Sequence, residues 1–98
     1  MKITMNRKDN ELIVALQGRL DSLSALDLDK KLDSELDGIE KLIFDFEKPE
    51  YISSAGLRIL LSVYSTMESR GKMIVRNINR NVKSVFEITG FLAFINIE

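Results

Sequence analysis

The sequence predicts an α/β fold: a mainly parallel sheet of four to five strands, with an N-terminal hairpin and about three helices. Two observations support this prediction. Short apolar runs of strand length alternate with amphipathic runs of about 12 to 15 residues, long enough to cross over between parallel strands. Glycine, proline and polar clusters separate the runs, as expected of turns and helix ends.

The first two runs are predicted to be strands joined by a tight turn. Residues 2–7 alternate between apolar and polar, and Asp9-Asn10 supply turn residues. Residues 11–17 are apolar at nearly every position, which favours a strand that is covered on both faces. This strand is expected to stop at Gly18.

The first helix is predicted to follow after a short polar connection. Ser24 is placed to cap its start, and Gly38 lies just past its end. A third strand, residues 41–46, comes next, and the charged residues 47–50 are expected to form a turn because Pro49 cannot donate a ladder hydrogen bond. The apolar positions of the helix recur at steps of three and four: Ala25, Leu28, Leu32 and Leu36.

The second helix is predicted to begin at two adjacent serines. Ser53 and Ser54 come directly before an apolar run, and a serine oxygen can accept an otherwise unpaired first-turn N–H. We expect Ser53 to be the cap and Ser54 to be left with an exposed hydroxyl. The helix is expected to end at residue 69, with Gly71 behind it. Its predicted apolar face is Leu57, Leu60, Leu61 and Tyr64.

The last third of the chain adds a strand, a helix and a tail. Residues 72–76 form a short apolar run in strand format. Asn77 or Asn79 is placed to cap a third helix, which ends at Gly90. The apolar tail, residues 91–97, is expected to dock as a short strand or as an extended cover.

Composition narrows the possible functions. The chain has 98 residues, enough for one domain, which we expect to span residues 1–98. Its formal net charge is −1, which does not suggest a nucleic-acid partner. It contains no histidine and no cysteine, so the commonest metal ligands and catalytic nucleophiles are missing, and we expect no metal and no cofactor. No stretch approaches the roughly 20 apolar residues of a membrane span, so the cytoplasm is the default.

The carboxyl ends of the strands are the expected position of a site. The loop from Gly18 to Ser24 follows the second strand, and the loop from Pro49 to Gly56 follows the third. We expect these loops to face one another and to bring Asp21 near the serine pair.

These two loops also carry a family resemblance. Gly18-Arg19-Leu20-Asp21, the run Tyr51-Ile52-Ser53-Ser54-Ala55-Gly56-Leu57, and Gly71-Lys72 before a strand resemble a STAS domain of the bacterial anti-sigma factor antagonist type. The resemblance spans nearly the whole chain, and the Ser-Ser-Ala-Gly-Leu junction is its most specific part.

The resemblance implies a protein that is a switch and not an enzyme. In the family, the unphosphorylated domain binds an anti-sigma factor that is also a serine kinase, and this frees a sigma factor. Phosphorylation of one serine abolishes binding, and a serine phosphatase restores it. By position, the phosphorylated residue would be Ser54. Many members have aspartate before that serine, whereas this chain has Ser53.

The residues expected at the switch are Asp21, Ser53, Ser54, Gly56 and Arg58. Each also has a structural interpretation: Asp21 as a turn former or cap, Gly56 as a position for close helix packing, and Arg58 as a solvated side chain. In the functional interpretation, Asp21 orders the Ser54 hydroxyl, and the missing side chain at Gly56 lets a kinase backbone approach Ser54.

Three other functions stay open at this point, one of which is a purely structural interaction protein that would leave Ser54 unmodified in cells. A constitutive STAS docking subunit of a transporter, a lipid-trafficking ATPase or a larger signalling assembly is the main alternative. An enzyme is disfavoured, because the chain also lacks a Gly-x-x-x-x-Gly-Lys phosphate loop. We expect a monomer when the protein is free.

Overall fold

The computed structural model describes residues 1–93 and 95–98, and the side chains of all of these except residues 47–50 and Leu92. Its elements, in chain order, are β1 (Lys2–Lys8), β2 (Glu11–Leu20), α1 (Ser22–Glu35), β3 (Lys41–Ile52), α2 (Ser54–Glu68), β4 (Lys72–Arg76), α3 (Arg80–Thr89), a 3-10 turn (Phe91–Ala93) and β5 (Asn96–Ile97).

The five strands form one sheet in the order β1-β2-β3-β4-β5, which is also their order along the chain. β1 pairs antiparallel with β2, and every later neighbour is parallel. The predicted fold, a mainly parallel sheet with an N-terminal hairpin and three helices, is confirmed.

The three helices pack on one face of this sheet. Strands that follow one another across a sheet in a constant direction, with right-handed crossovers, bring each connecting helix to the same side. The alternate residues of β2 show this, because Leu12, Val14 and Leu16 are fully buried and the residues between them are half-buried. The prediction that β2 is covered on both faces is therefore wrong. The single core also contains Leu42, Phe44, Phe46, Met73 and Val75 from the sheet, and Leu28, Leu32, Leu57, Leu60, Val63, Val82 and Phe86 from the helices.

β2 and β3 both run further than predicted. β2 continues past Gly18, which has a φ of 104° beside a register shift, and ends at Leu20. β3 continues through residues 47–50, where a turn was expected, and Pro49 pairs with Gly18. Pairing between β3 and β4 ends at Asp45, so the later part of β3 has β2 alone as its paired neighbour. A proline is tolerated on such a one-sided strand, because its missing N–H can face the unpaired edge.

The ends of α2 and α3 follow the sequence, since α2 ends at Glu68 with Ser69 as its C-cap. Asn79, rather than Asn77, caps α3 by accepting the Val82 N–H at 2.9 Å, and Gly90 ends it in the left-handed conformation with a φ of 77°. Gly71 lies just behind α2, as predicted, and its N–H donates to the Met67 carbonyl at 2.8 Å, but its φ is not positive. Its backbone instead passes so close to Glu40 that a Cβ would overlap the Glu40 carbonyl.

The tail forms the 3-10 turn and the two-residue strand β5, which pairs with β4. Phe94, which belongs to the predicted tail, lies outside the described residues. Within residues 1–93 and 95–98, no helix has the length and apolar character that a membrane crossing requires.

Candidate functional site

The candidate site lies where β2 and β3 end side by side. In the parallel register Leu20 pairs with Ile52, and the Ser53 N–H donates to the Leu20 carbonyl at 2.8 Å. The next residues, Asp21 and Ser53, are the N-caps of α1 and α2. The expectation that the two strand-to-helix junctions face one another is thus confirmed, although each junction is a cap rather than a loop of several residues.

The two serines of the second junction have different structural roles. Ser53 is half-buried and has an extended backbone, and its Oγ accepts the Gly56 N–H at 3.1 Å. Ser54 is the first residue of α2, and its side chain is exposed. Within the described residues its hydroxyl makes no hydrogen bond. The expected division, with Ser53 as the cap and Ser54 exposed, is confirmed.

Gly56 fixes how closely α2 approaches the end of β2. A Cβ at this position would lie 2.7 Å from Leu20 Cγ and 2.8 Å from the Leu20 carbonyl oxygen. Gly56 is buried, so the space left by its missing side chain is filled from within the domain. The packing interpretation of Gly56 is supported, whereas the idea that the missing side chain opens a path for a kinase does not fit this geometry.

The Asp21 carboxylate accepts its hydrogen bonds from the first turn of α1. Its Oδ1 accepts the N–H groups of Leu23 and Ser24, both at 3.1 Å, and the Asp21 N–H donates to Ser24 Oγ at 2.8 Å. This reciprocal pair is a capping box, so the prediction that Ser24 is the cap is wrong. Hydrogen bonds from the Ser24 backbone and side chain hold the pKa of the Asp21 carboxyl below its ordinary value. The carboxylate is used within α1 and not, as expected, to order Ser54.

Arg58 and Leu61 share the outer face of α2 with Ser54. Arg58 is exposed, as its spacing from the apolar positions predicts. The predicted apolar face includes Leu61, which is 40% exposed in the structure. That placement is wrong because the helix turns Leu61 away from the sheet. The buried positions of α2 are Gly56, Leu57, Leu60, Val63 and Met67.

Two exposed groups beside the site were missed by the sequence analysis. Arg19 stacks on the Tyr51 ring, with its guanidinium carbon 4.5 Å from the ring centroid. These residues face each other across β2 and β3, which only the register reveals. Leu23 and Leu26 in the first two turns of α1 are 79% and 57% exposed. Their position off the three-and-four spacing of the buried residues was the available signal.

A family model described as the STAS domain matches residues 2–98. This chain belongs to the STAS domain family. It is 36% identical over 99 residues to BtrV of Bordetella bronchiseptica, for which the role of anti-sigma factor antagonist is proposed. That match covers 99% of this chain and 85% of BtrV, so the predicted relation to anti-sigma factor antagonists is confirmed.

Solved structures of SpoIIAA share the STAS fold of this chain. The anti-sigma factor antagonist SpoIIAA in its unphosphorylated form has a TM-score of 0.87 at 19% identity, over 99% of this chain and 88% of SpoIIAA. The Bacillus cell fate determinant SpoIIAA in the phosphorylated form has a TM-score of 0.79 at 18% identity, over 99% of this chain and 91% of the other. At such identities these matches show the fold alone.

Proposed function

We propose that this STAS domain is an anti-sigma factor antagonist that acts as a phosphorylation switch and is not itself an enzyme. Unphosphorylated, it binds an anti-sigma factor that is also a serine kinase, and so frees a sigma factor. The kinase transfers the γ-phosphoryl group of ATP to Ser54 Oγ, which releases ADP and the hydroxyl proton. The modified domain no longer binds, and a serine phosphatase hydrolyses the phosphate to restore it. All of this takes place in the cytoplasm, with the free protein as a monomer.

The observation that carries this proposal is the exposed Ser54 hydroxyl at the start of α2. Because Ser53 supplies the cap, Ser54 Oγ can be modified without removing a hydrogen bond that α2 needs. The first turn of a helix also tolerates a negative charge, which is stabilised there by about 0.3–1 kcal/mol. The similarity to SpoIIAA supports the same point, since both the unphosphorylated and the phosphorylated form of that protein have this fold.

The surroundings of Ser54 suit a protein partner. Leu61 lies two turns further along the same face of α2, and the exposed Leu23 and Leu26 lie on the neighbouring helix α1. Exposed large apolar side chains on neighbouring helices are a feature of interaction surfaces. We therefore place the partner contact across the first turns of α1 and α2.

The phosphate would act through this interface rather than by refolding the domain. It adds about −1.5 to −2 charges. Burying such a charge against a leucine-rich surface without matched partners costs several kcal/mol, and each 1.4 kcal/mol weakens binding about tenfold. We therefore expect the spectra of the phosphorylated domain to stay close to those of the unmodified one, and a large rearrangement would contradict this account.

Intact-mass spectrometry with the host's anti-sigma factor kinase and ATP tests the proposal. We expect one phosphate on the wild type and on Ser53→Ala, and none on Ser54→Ala. Kinase activity is checked on a second substrate. The affinity of the anti-sigma factor is then measured by calorimetry for both forms of the wild type, and we expect at least a hundredfold loss on phosphorylation.

The absence of phosphate from all samples, with a demonstrably active kinase, would refute the switch. The exposed leucines would then favour the constitutive docking of a transporter, a lipid-trafficking ATPase or a larger assembly. Capture experiments with each partner class separate these possibilities, because constitutive docking would depend on Leu23, Leu26 and Leu61 and not on Ser54.

A further inference from the structure

Among the residues whose side chains the structure describes, Arg58 is an exposed cation without a counter-ion, and this distinguishes it from most arginines of the chain. Four of the six arginines have an interaction partner in the structure. Within the described residues, Arg58 and Arg80 make no hydrogen bond, ion pair or ring contact. The four engaged pairs are Arg7 with the Asp9 carbonyl, Arg19 with the Tyr51 ring, Arg70 with the Leu36 carbonyl and Arg76 with the Asp45 carboxylate.

Arg58 lies four residues after Ser54 on the same exposed face of α2. Side chains at this spacing have their Cβ atoms about 5–6 Å apart. Long helical side chains lean back toward the helix N-terminus, and this tendency directs the Arg58 side chain toward the turn that holds Ser54. An acidic group that precedes a basic one by four residues is also the more favourable order on a helix.

No other charge competes for this position along α2. Between Ser54 and Glu68, Arg58 is the one charged residue in the sequence. Arg19 is already stacked on the Tyr51 ring, and it lines a pocket with Leu23 and Asp27 of α1 rather than with residues of α2.

We propose that Arg58 is the counter-ion of phosphorylated Ser54, so that one guanidinium changes partner when the switch operates. This rests on the proposed function, since it concerns the phosphorylated form of the same site. In the unmodified domain the Arg58 side chain is free to meet an acidic group of the bound partner. In the phosphorylated domain it pairs with the phosphate in the forked geometry that guanidinium groups prefer. Phosphorylation thus adds a negative charge to the surface, and it also takes the Arg58 guanidinium away from the partner.

The test uses phosphoserine inserted genetically at position 54, so that no kinase is needed. A pH titration followed by ³¹P NMR gives the second pKa of the phosphate, which is about 6 in unperturbed phosphoserine. We expect the pKa of the phosphate to rise by about half a pH unit in Arg58→Gln, and by less in Arg58→Lys, which keeps the charge but loses the fork. Lys72→Gln is the matched control, because it removes an exposed positive charge at the opposite end of the sheet. It should leave the titration within about 0.1 pH units of wild type.

An unchanged phosphate titration in Arg58→Gln would overturn the inference. A shift of equal size in Lys72→Gln would do the same, because it would show a general charge effect. Circular dichroism of each variant confirms that it is folded. If the kinase does not modify Ser54, the proposed switch is refuted, but this titration stays valid. Failure of the switch and failure of the Arg58 inference are therefore distinguishable.

Discussion

Gly56→Ala tests whether the close contact between α2 and the end of β2 sets the geometry of the junction. The added methyl group would lie 2.7 Å from Leu20 Cγ and 2.8 Å from the Leu20 carbonyl oxygen. The carbonyl cannot move freely, because it accepts the Ser53 N–H at 2.8 Å. Overpacking of this kind costs about 1–3 kcal/mol. Alanine recovers up to about 1 kcal/mol as the better helix former, which leaves a net loss of about 1–2 kcal/mol.

Urea unfolding measures this loss directly. We expect the midpoint of Gly56→Ala to fall by about 1 M with an unchanged slope, and the melting temperature to fall by about 4–16 °C. Ser65→Ala, at an exposed position of α2, is the control for helix propensity alone and should be slightly stabilising. In the double variant Leu20→Ala/Gly56→Ala, the loss in free energy of unfolding should be smaller than the sum of the two single losses by about 0.5 kcal/mol or more. A Gly56→Ala protein as stable as wild type would refute the reasoning.

Three further predictions concern neighbouring residues. Ser53→Ala should lower the free energy of unfolding by about 1 kcal/mol through loss of the cap, whereas Ser54→Ala should stay within about 0.5 kcal/mol of wild type in urea titrations. The free energy of unfolding should decrease as the pH falls below about 3.9 toward the lowered pKa of Asp21, because the unfolded state there binds a proton that the folded state does not. Asp21→Asn keeps the cap and should flatten this part of the plot of stability against pH. Leu61→Ser should weaken partner binding by calorimetry with unfolding nearly unchanged, while Leu60→Ser, at a fully buried position, should unfold the domain.

The order of the elements and the helix starts at Ser53 and Asn79 could be predicted from the sequence, because both depend on local chemistry. Periodicity reports which residues can be buried together, and a capping side chain acts on N–H groups two or three positions away. The choice between Ser24 and Asp21 as the cap of α1 failed for a related reason. The two residues form one capping box in which each bonds to the backbone of the other, so either one alone looks like a cap.

Features that depend on neighbours distant in sequence could not be predicted. Pro49 continues β3 because β4 has ended at Arg76, and that register is not visible in either segment alone. Glycine is required at position 71 by the backbone of Glu40, from the connection before β3, and not by a left-handed conformation at the end of α2. Leu61 follows the same principle: the sequence shows that it is apolar, but the direction in which α2 packs decides that it is exposed.

In the proposed switch, the serine pair separates stability from regulation within two adjacent residues. If one hydroxyl both capped α2 and accepted the phosphate, each phosphorylation would remove the cap and change the stability of the domain along with its binding. Here Ser53 accepts the Gly56 N–H, and Ser54 stands outside that hydrogen bond. Serine and aspartate cap helices about equally well, so Ser53 holds the junction as firmly as an aspartate would, without placing a second negative charge next to the phosphate. The counter-ion that we propose for the phosphate is one turn further along the same helix, at Arg58.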